Sequence, residues 1–359
     1  MKAFVTGGTG FIGRHVVQHL IDRGYDVTCL VRRPENATDL RDVGATIVQG
    51  DITHRDSMRA GMTGADVVFH CAGWYEIGLS PSAAQRMERI NVDGTENVLG
   101  LAVELAVPKI VYTSTAAVLG NTYSVVVDET HQRDSPFDSA YDRTKYQAHQ
   151  VAERYISQDA PIIIVLPTGV YGPGDHSMIG TFLRLLLRRM VPLMPGADTG
   201  FSFVYVDDVA RGHVLAAEKG QAGQSYVLGG DVMTVGDAMQ VIARLAGVPA
   251  PLLLLDSRLI APLRPLVTWL ERFVPLPSVV SSEMLNTLGS TWWVTSAKAE
   301  RELGYTHRPI EEGMAETVTW EVAQLRGQPA VLHASTLLTL AAVTLLLGLR
   351  LLRGRRQHT

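Results

Sequence analysis

Tyr141 and Lys145 stand four residues apart in a stretch with helical spacing, so on a helix they project from one face. An ammonium beside a phenol favours the phenolate and lowers the tyrosine pKa from about 10 toward working pH. A phenol tuned in this way can give or take the proton of a carbinol while hydride moves to or from a nicotinamide. Thr113-Ser114-Thr115 closes a strand-like run, with Thr115 26 residues before Tyr141. A hydroxyl from Thr115 or Ser114 would hold the substrate oxygen beside the phenol. A Tyr-x-x-x-Lys pair is common by chance, so its weight depends on whether the chain also supplies a nucleotide fold.

The opening residues supply the first part of one. Thr6-Gly7-Gly8-Thr9-Gly10-Phe11-Ile12-Gly13 joins a short β-branched run to an amphipathic helix. Gly7 allows the tight turn, Gly10 lets the backbone approach a pyrophosphate, and Gly13 lets helix and strand pack closely. The helix N-terminus adds unpaired N–H groups and a positive dipole, and Thr9, Phe11 and Ile12 belong to the same cradle. An NAD enzyme would carry an Asp or Glu about twenty residues further on, for the ribose 2′-hydroxyl. Here the second strand ends Leu30-Val31-Arg32-Arg33-Pro34, with two guanidiniums and no carboxylate. Planar bidentate donors suit a 2′-phosphate, so NADP is the expected cofactor, with NAD as the alternative. Asp51 and Ile52 follow the third strand, where a side chain can reach the adenine edge, although Asp51 would serve equally as an N-cap for a helix over Arg55–Met62. His70-Cys71-Ala72-Gly73 ends the fourth, and its small residues, Ala72 among them, leave room for the cofactor. No metal is called for.

The elements that must position these groups are visible as alternation. Ala3–Thr6, Val27–Val31, Thr46–Val48, Val67–His70, Ile110–Thr113 and Ile162–Leu166 read as strands, separated by stretches with helical spacing. Such alternation predicts an α/β fold with a doubly wound parallel sheet, ligands binding at the carboxyl ends of its strands. Residues 1–170 are expected to form a dinucleotide-binding Rossmann core. Residues 171–328 are expected to form a smaller substrate lobe with segments returning to the core. Phe201–Val206 and Tyr226–Leu228 read as strands there, and Asp207–Lys219 and Val235–Ala246 as helices. The stretch from Pro249 to Pro277 is unusually apolar, which fits a core helix pair, a greasy substrate mouth or a membrane-facing patch.

Composition sets the outer limits. With 46% hydrophobic and 19% charged residues among 359, the chain is not a disordered one, and a net charge of −4 speaks against a nucleic-acid partner. Cys29 and Cys71 read as reduced core thiols. The chain reaches its glycines too soon for a signal-peptide core, so the catalytic part is expected in the cytoplasm. From Ala330 to Leu349 there is no Asp, Glu, Lys or Arg, and Arg350, Arg353, Arg355 and Arg356 follow. Twenty helical residues span about 30 Å, a bilayer's hydrocarbon thickness. Residues 330–353 are therefore expected to form a C-terminal membrane-anchor helix, associating the catalytic domain with a membrane.

In the order of its motifs the chain resembles the extended short-chain dehydrogenase/reductase family. Thr6–Gly13 is similar to its TGxxGxxG signature, Asn91–Thr95 to its NVxGT helix and Tyr141–Lys145 to its YxxxK. Val204–Val209 is similar to the HVDDV corner, with Tyr205 in place of the usual His, and Ala297–Tyr305 to a common C-terminal segment. The resemblance implies that Tyr141 is the proton donor or acceptor, Lys145 its activator and Thr115 the substrate-orienting hydroxyl. It also implies that Pro167, Thr168 and Val170 lie in the loop that closes over nicotinamide. Asn91 would be a polar relay or a structural residue, and a homodimer would form through Pro81–Leu105 and Ala140–Tyr155. Dehydratases of this kind carry Asp-Glu after the catalytic Thr, where this chain has Ala116-Ala117, which speaks against that subclass. The resemblance is nearest the 3β-hydroxysteroid dehydrogenase and dihydroflavonol-reductase branch. It points to a small-molecule substrate, a hydrophobic sterol- or flavonoid-like alcohol or ketone. A nucleotide-sugar epimerase and a non-catalytic NADPH-binding subunit at a membrane are the alternatives.

Overall fold

The computed structural model describes residues 1–326, apart from 272, 275 and 277–280. The β-branched runs become β1 (Lys2–Thr6), β2 (Asp26–Val31), β3 (Thr46–Gln49), β4 (Val67–His70), β5 (Ile110–Thr113) and β6 (Ile162–Pro167). The strand Ser225–Leu228 pairs with β6, so the seven-strand sheet runs Ser225–Leu228, β6, β5, β4, β1, β2, β3. Every neighbouring pair is parallel. β1 pairs with both β2 and β4, and the winding direction reverses between these two neighbours. The crevice at their carboxyl ends is where such a sheet takes a ligand.

Strands covered on both faces need apolar residues at every position, and β4, β5 and β6 are buried throughout. Alternate side chains enter opposite cores. Val5 and Ile163 pack with Leu20 of the helix Phe11–Asp22 and Val214 of the helix Val206–Lys219. Phe4 and Ile164 pack with Leu99 of Gly94–Glu104 and Ala148 of Ala140–Ile156.

A second, mixed sheet sits beyond the carboxyl ends. Its strand Gly200–Tyr205 pairs antiparallel with Asp231–Thr234 and parallel with Gly169–Tyr171 and Thr291–Trp292. Gly169 follows β6 after a single residue, which ties this sheet to the rim of the crevice. The helices Val235–Ala246 and Ile310–Arg326 back it. Val235–Ala246 starts on Thr234, whose hydroxyl accepts the Asp237 N–H, and stops at Gly247 in the left-handed conformation.

A third, small unit pairs Leu253–Leu255 with Leu193–Pro195 and has its own core of Ile260, Leu285 and Leu288. The apolar stretch after Pro249 is thus not a buried helix pair, because Leu252, Leu259, Trp269 and Phe273 face outward. The expected anchor, 330–353, lies outside the described residues. Among the described residues, no helix is long and apolar enough to cross a membrane.

Candidate active site

β1 hands over to a turn in which Gly7 has φ 77°, open to glycine without strain. A Cβ on Gly7 would lie 2.5 Å from the Ala72 nitrogen, and one on Gly13 2.1 Å from the Gly7 carbonyl. Only glycines let the turn, the end of β4 and the first helix approach so closely. Gly10 begins the helix Phe11–Asp22 with no side-chain cap, and its first turn has no acidic residue. The leading N–H groups are left for an outside acceptor, and the cradle fits a dinucleotide pyrophosphate.

Arg32 and Arg33 are exposed at the end of β2. Asp51 does not cap the following helix. Its Oδ1 accepts from the Thr53 N–H and hydroxyl at 2.9 and 2.8 Å, closing a short turn before a helix that starts at Asp56. Ile52 is buried.

The candidate reacting groups are carried by the helix Ala140–Ile156. Ser139 caps it, its hydroxyl accepting the Asp142 N–H at 3.1 Å. Tyr141 and Lys145 then face the end of β5. The Lys145 ammonium donates to the Thr113 carbonyl at 2.9 Å and lies 5.2 Å over the Tyr112 ring. Tyr75 meets the Tyr141 ring edge-on at 4.7 Å. Asn91 proves to be a strut: its Oδ1 accepts the Trp74 N–H, and its Nδ2 donates to the Trp74 carbonyl and the Thr144 hydroxyl. It thereby ties the loop after β4 to the helix Ala140–Ile156.

One cavity of about 550 Å³ collects most of the predicted residues. Gly7, Gly10, Phe11, Ile12 and Gly13 of the glycine turn and first helix, Thr115, Tyr141 and Lys145, and Pro167, Thr168 and Val170 at the end of β6 and just beyond it all line it. Thr9, Arg32, Arg33, Asp51, Ile52 and Ala72 stand outside its walls. Trp74 and Tyr75 line it as well.

The electrostatics differ from the simple pairing expected of Tyr141 and Lys145. Burial pushes the Tyr141 phenol up to about 12, outweighing the Thr115 hydrogen bond that favours the phenolate. Burial likewise lowers Lys145, to about 8. In a shared low-dielectric pocket both charged forms are penalised, and Lys145 directs its ammonium at a backbone carbonyl. At neutral pH Tyr141 is a protonated donor.

Lys145 makes this testable in stability. Below pH 8 both folded and unfolded chains carry its proton, and folding bears the burial cost. Between the folded value of about 8 and the ordinary 10.5, the folded chain has released the proton and the unfolded chain has not, so stability rises with pH. Lys145→Met lacks this gain. The Tm difference between native chain and variant is expected to move in favour of the native chain from about pH 7 to about pH 9.5, as thermal unfolding at both values would show.

Sequence reading passed over Arg133. Its guanidinium grips Asp142 with two bonds of 2.8 and 2.6 Å and donates to the Ala117 and Pro136 carbonyls. Nothing in a polar loop nine residues upstream signals a buried clamp.

Comparison with known proteins gives the family. The model of the NAD dependent epimerase/dehydratase family matches residues 3–229. The chain is 32% identical over 229 residues to the 4-hydroxy-2-methyl-3-oxo-4-farnesyl-3,4-dihydroquinoline-1-oxide ketoreductase of Stigmatella aurantiaca, covering 64% of this chain and 68% of that protein. It is 29% identical over 327 residues to Sterol demethylase protein B of Methylococcus capsulatus, covering 89% and 98%. The crystal structure of gox2253 matches with a TM-score of 0.79 at 31% identity, covering 91% of this chain and 99% of that one. The family match runs through both the glycine turn and the Tyr141–Lys145 face, and the chain therefore belongs to the NAD dependent epimerase/dehydratase family of extended short-chain dehydrogenases/reductases, whose members are NAD(P)-dependent enzymes.

Proposed function

We propose that the protein reduces a hydrophobic ketone, or oxidises the matching alcohol, with NADP(H). The lining of the cavity beyond Tyr141 carries this reading. Phe182, Met194, Phe201, Phe203, Met239 and Met314 form its far wall. Among the described residues lining it, Lys145 is the only lysine or arginine, while Asp138, Asp142 and Asp175 are acidic, Asp142 being held by Arg133. The diphosphate of a nucleotide sugar would meet carboxylates there and no guanidinium, whereas a fused-ring ketone would meet apolar surface. The names of two relatives, a farnesylated-ring ketoreductase and a sterol demethylase protein, support the same class. An epimerase is the second reading, since the family includes them.

The cofactor, when bound, supplies or accepts the hydride. Tyr141 holds a proton for the oxygen being reduced, Thr115 orients that oxygen, and Lys145 fixes the end of β5 against the catalytic helix. NADP is favoured over NAD by the two exposed guanidiniums. Arg32→Ala with Arg33→Ala is expected to weaken NADPH binding about tenfold and leave NADH nearly unchanged, as nicotinamide fluorescence titration would show. The segment 330–353 is proposed as a membrane anchor on its charge-free run. The full chain is expected to need detergent for solubility, and truncation after Gln328 to remove that need. The substrate test is a screen of sterol-like ketones against UDP-sugars. NADPH oxidation by a ketone is expected, and conversion of a UDP-sugar with no net change in cofactor would overturn the reading.

A further inference from the structure

The small unit built on Ile260, Leu285 and Leu288 is apolar on both sides. Around the short helix Arg264–Leu270, Leu263 and Val267 pack inward on that core. Leu266 and Trp269 on the helix and Phe273 just past its end face outward, with Trp269 53% and Phe273 68% exposed. Their two rings meet at 5.0 Å and present one aromatic surface. Leu259, at 60%, and Leu252, at 83%, extend the apolar exterior of the same unit. An outward group of large apolar residues on this scale marks an interaction surface.

The course of the chain indicates what covers it. Glu311, near the start of the helix Ile310–Arg326, pairs with Arg244, near the end of Val235–Ala246, at 3.6 Å. The two packed helices therefore run antiparallel, and Ile310–Arg326 finishes at the end where Val235–Ala246 starts. At that end a Cβ on Gly236 would lie 3.4 Å from Leu254 of the apolar strand. The chain thus leaves the described residues on the side of the apolar unit and then enters the charge-free run Ala330–Leu349, followed by four arginines. An outward tryptophan and phenylalanine suit the interfacial layer of a bilayer, and arginines suit anionic headgroups. On its inner side, the same unit reaches the cavity through Met284 and Leu288.

We infer that this face docks into the interfacial layer of a lipid bilayer, with Trp269 and Phe273 immersed, so that an apolar substrate passes from the acyl chains toward the Tyr141 cavity. The passage rests on the substrate class proposed above, whereas the docking does not. Full-length protein bound to phosphatidylcholine–phosphatidylglycerol vesicles, with bromine atoms on the acyl chains as contact quenchers, tests it. Tryptophan emission is expected to be quenched, and the quenching to fall in Trp269→Phe while the chain still floats with the vesicles. Absent quenching, or equal quenching in that variant, would overturn the inference, since the face would then stay in water. Leu259→Ser with Phe273→Ser is expected to reduce the Trp269 share of the quenching severalfold while the chain stays on the vesicles. Unchanged quenching in that double variant would count against docking. So would loss of a dimer by these substitutions in lipid-free sedimentation, which would make a second copy the occupant. None of these readouts involves turnover, so their failure is distinct from failure of the ketone screen.

Discussion

Tyr141→Phe is expected to lower kcat by roughly 10²- to 10⁴-fold while leaving NADPH binding nearly intact. The substitution keeps the ring and its edge-on contact with Tyr75 at 4.7 Å, and removes only the hydroxyl. Burial holds that phenol protonated, pushed up to about 12, so it is poised to donate to an oxygen that gains charge as hydride arrives. The apolar residues of the lining offer no substitute donor, and in the proposed reaction Thr115 would orient the oxygen, its hydroxyl being a weaker acid than a phenol. Steady-state turnover and nicotinamide fluorescence on the same preparation would separate chemistry from binding. Surviving turnover would remove Tyr141 from the proton transfer.

Arg133→Met is expected to cost about 3–5 kcal/mol of stability, because it strands a carboxylate in the interior. The side chains of Arg133 and Asp142 are only 6% and 7% exposed, so neither charge has water to fall back on. The guanidinium also closes the Ala117 and Pro136 carbonyls, joining the segment after Thr115 to the first turn of the catalytic helix. Urea unfolding should show the loss. Adding Asp142→Leu is expected to recover much of it, since replacing a whole buried pair by apolar groups is far milder than breaking it. If the single variant unfolded like the native chain, the clamp would be structurally idle.

Local features were legible beforehand. β-branched runs punctuated by glycines fix strands and turns within a few residues, and the four-residue spacing of Tyr141 and Lys145 places both on one face whatever surrounds them. Val235–Ala246 was readable to its ends because Thr234 and Gly247 stop it by local chemistry. Properties set by distant packing were not. The direction of the Tyr141 shift depends on burial of its phenol, with Tyr75 edge-on against the ring, which no pairwise view of a phenol and an amine contains. Asp51 looks like a helix cap until Thr53 is seen to take its oxygen. Leucines after Pro249 declare themselves apolar, but composition does not say which way they face.

The pairing of Ser225–Leu228 with β6 makes the nucleotide half of the molecule an unsafe cassette. Cut after residue 170, that half would bare the backbone edge of β6 and lose the helix Val206–Lys219 from over Val5 and Leu20. Fusions or transplants that treat it as an independent module should yield sticky, misassembled chains. Specificity in this scaffold is therefore better re-engineered by substitutions in place than by exchanging halves.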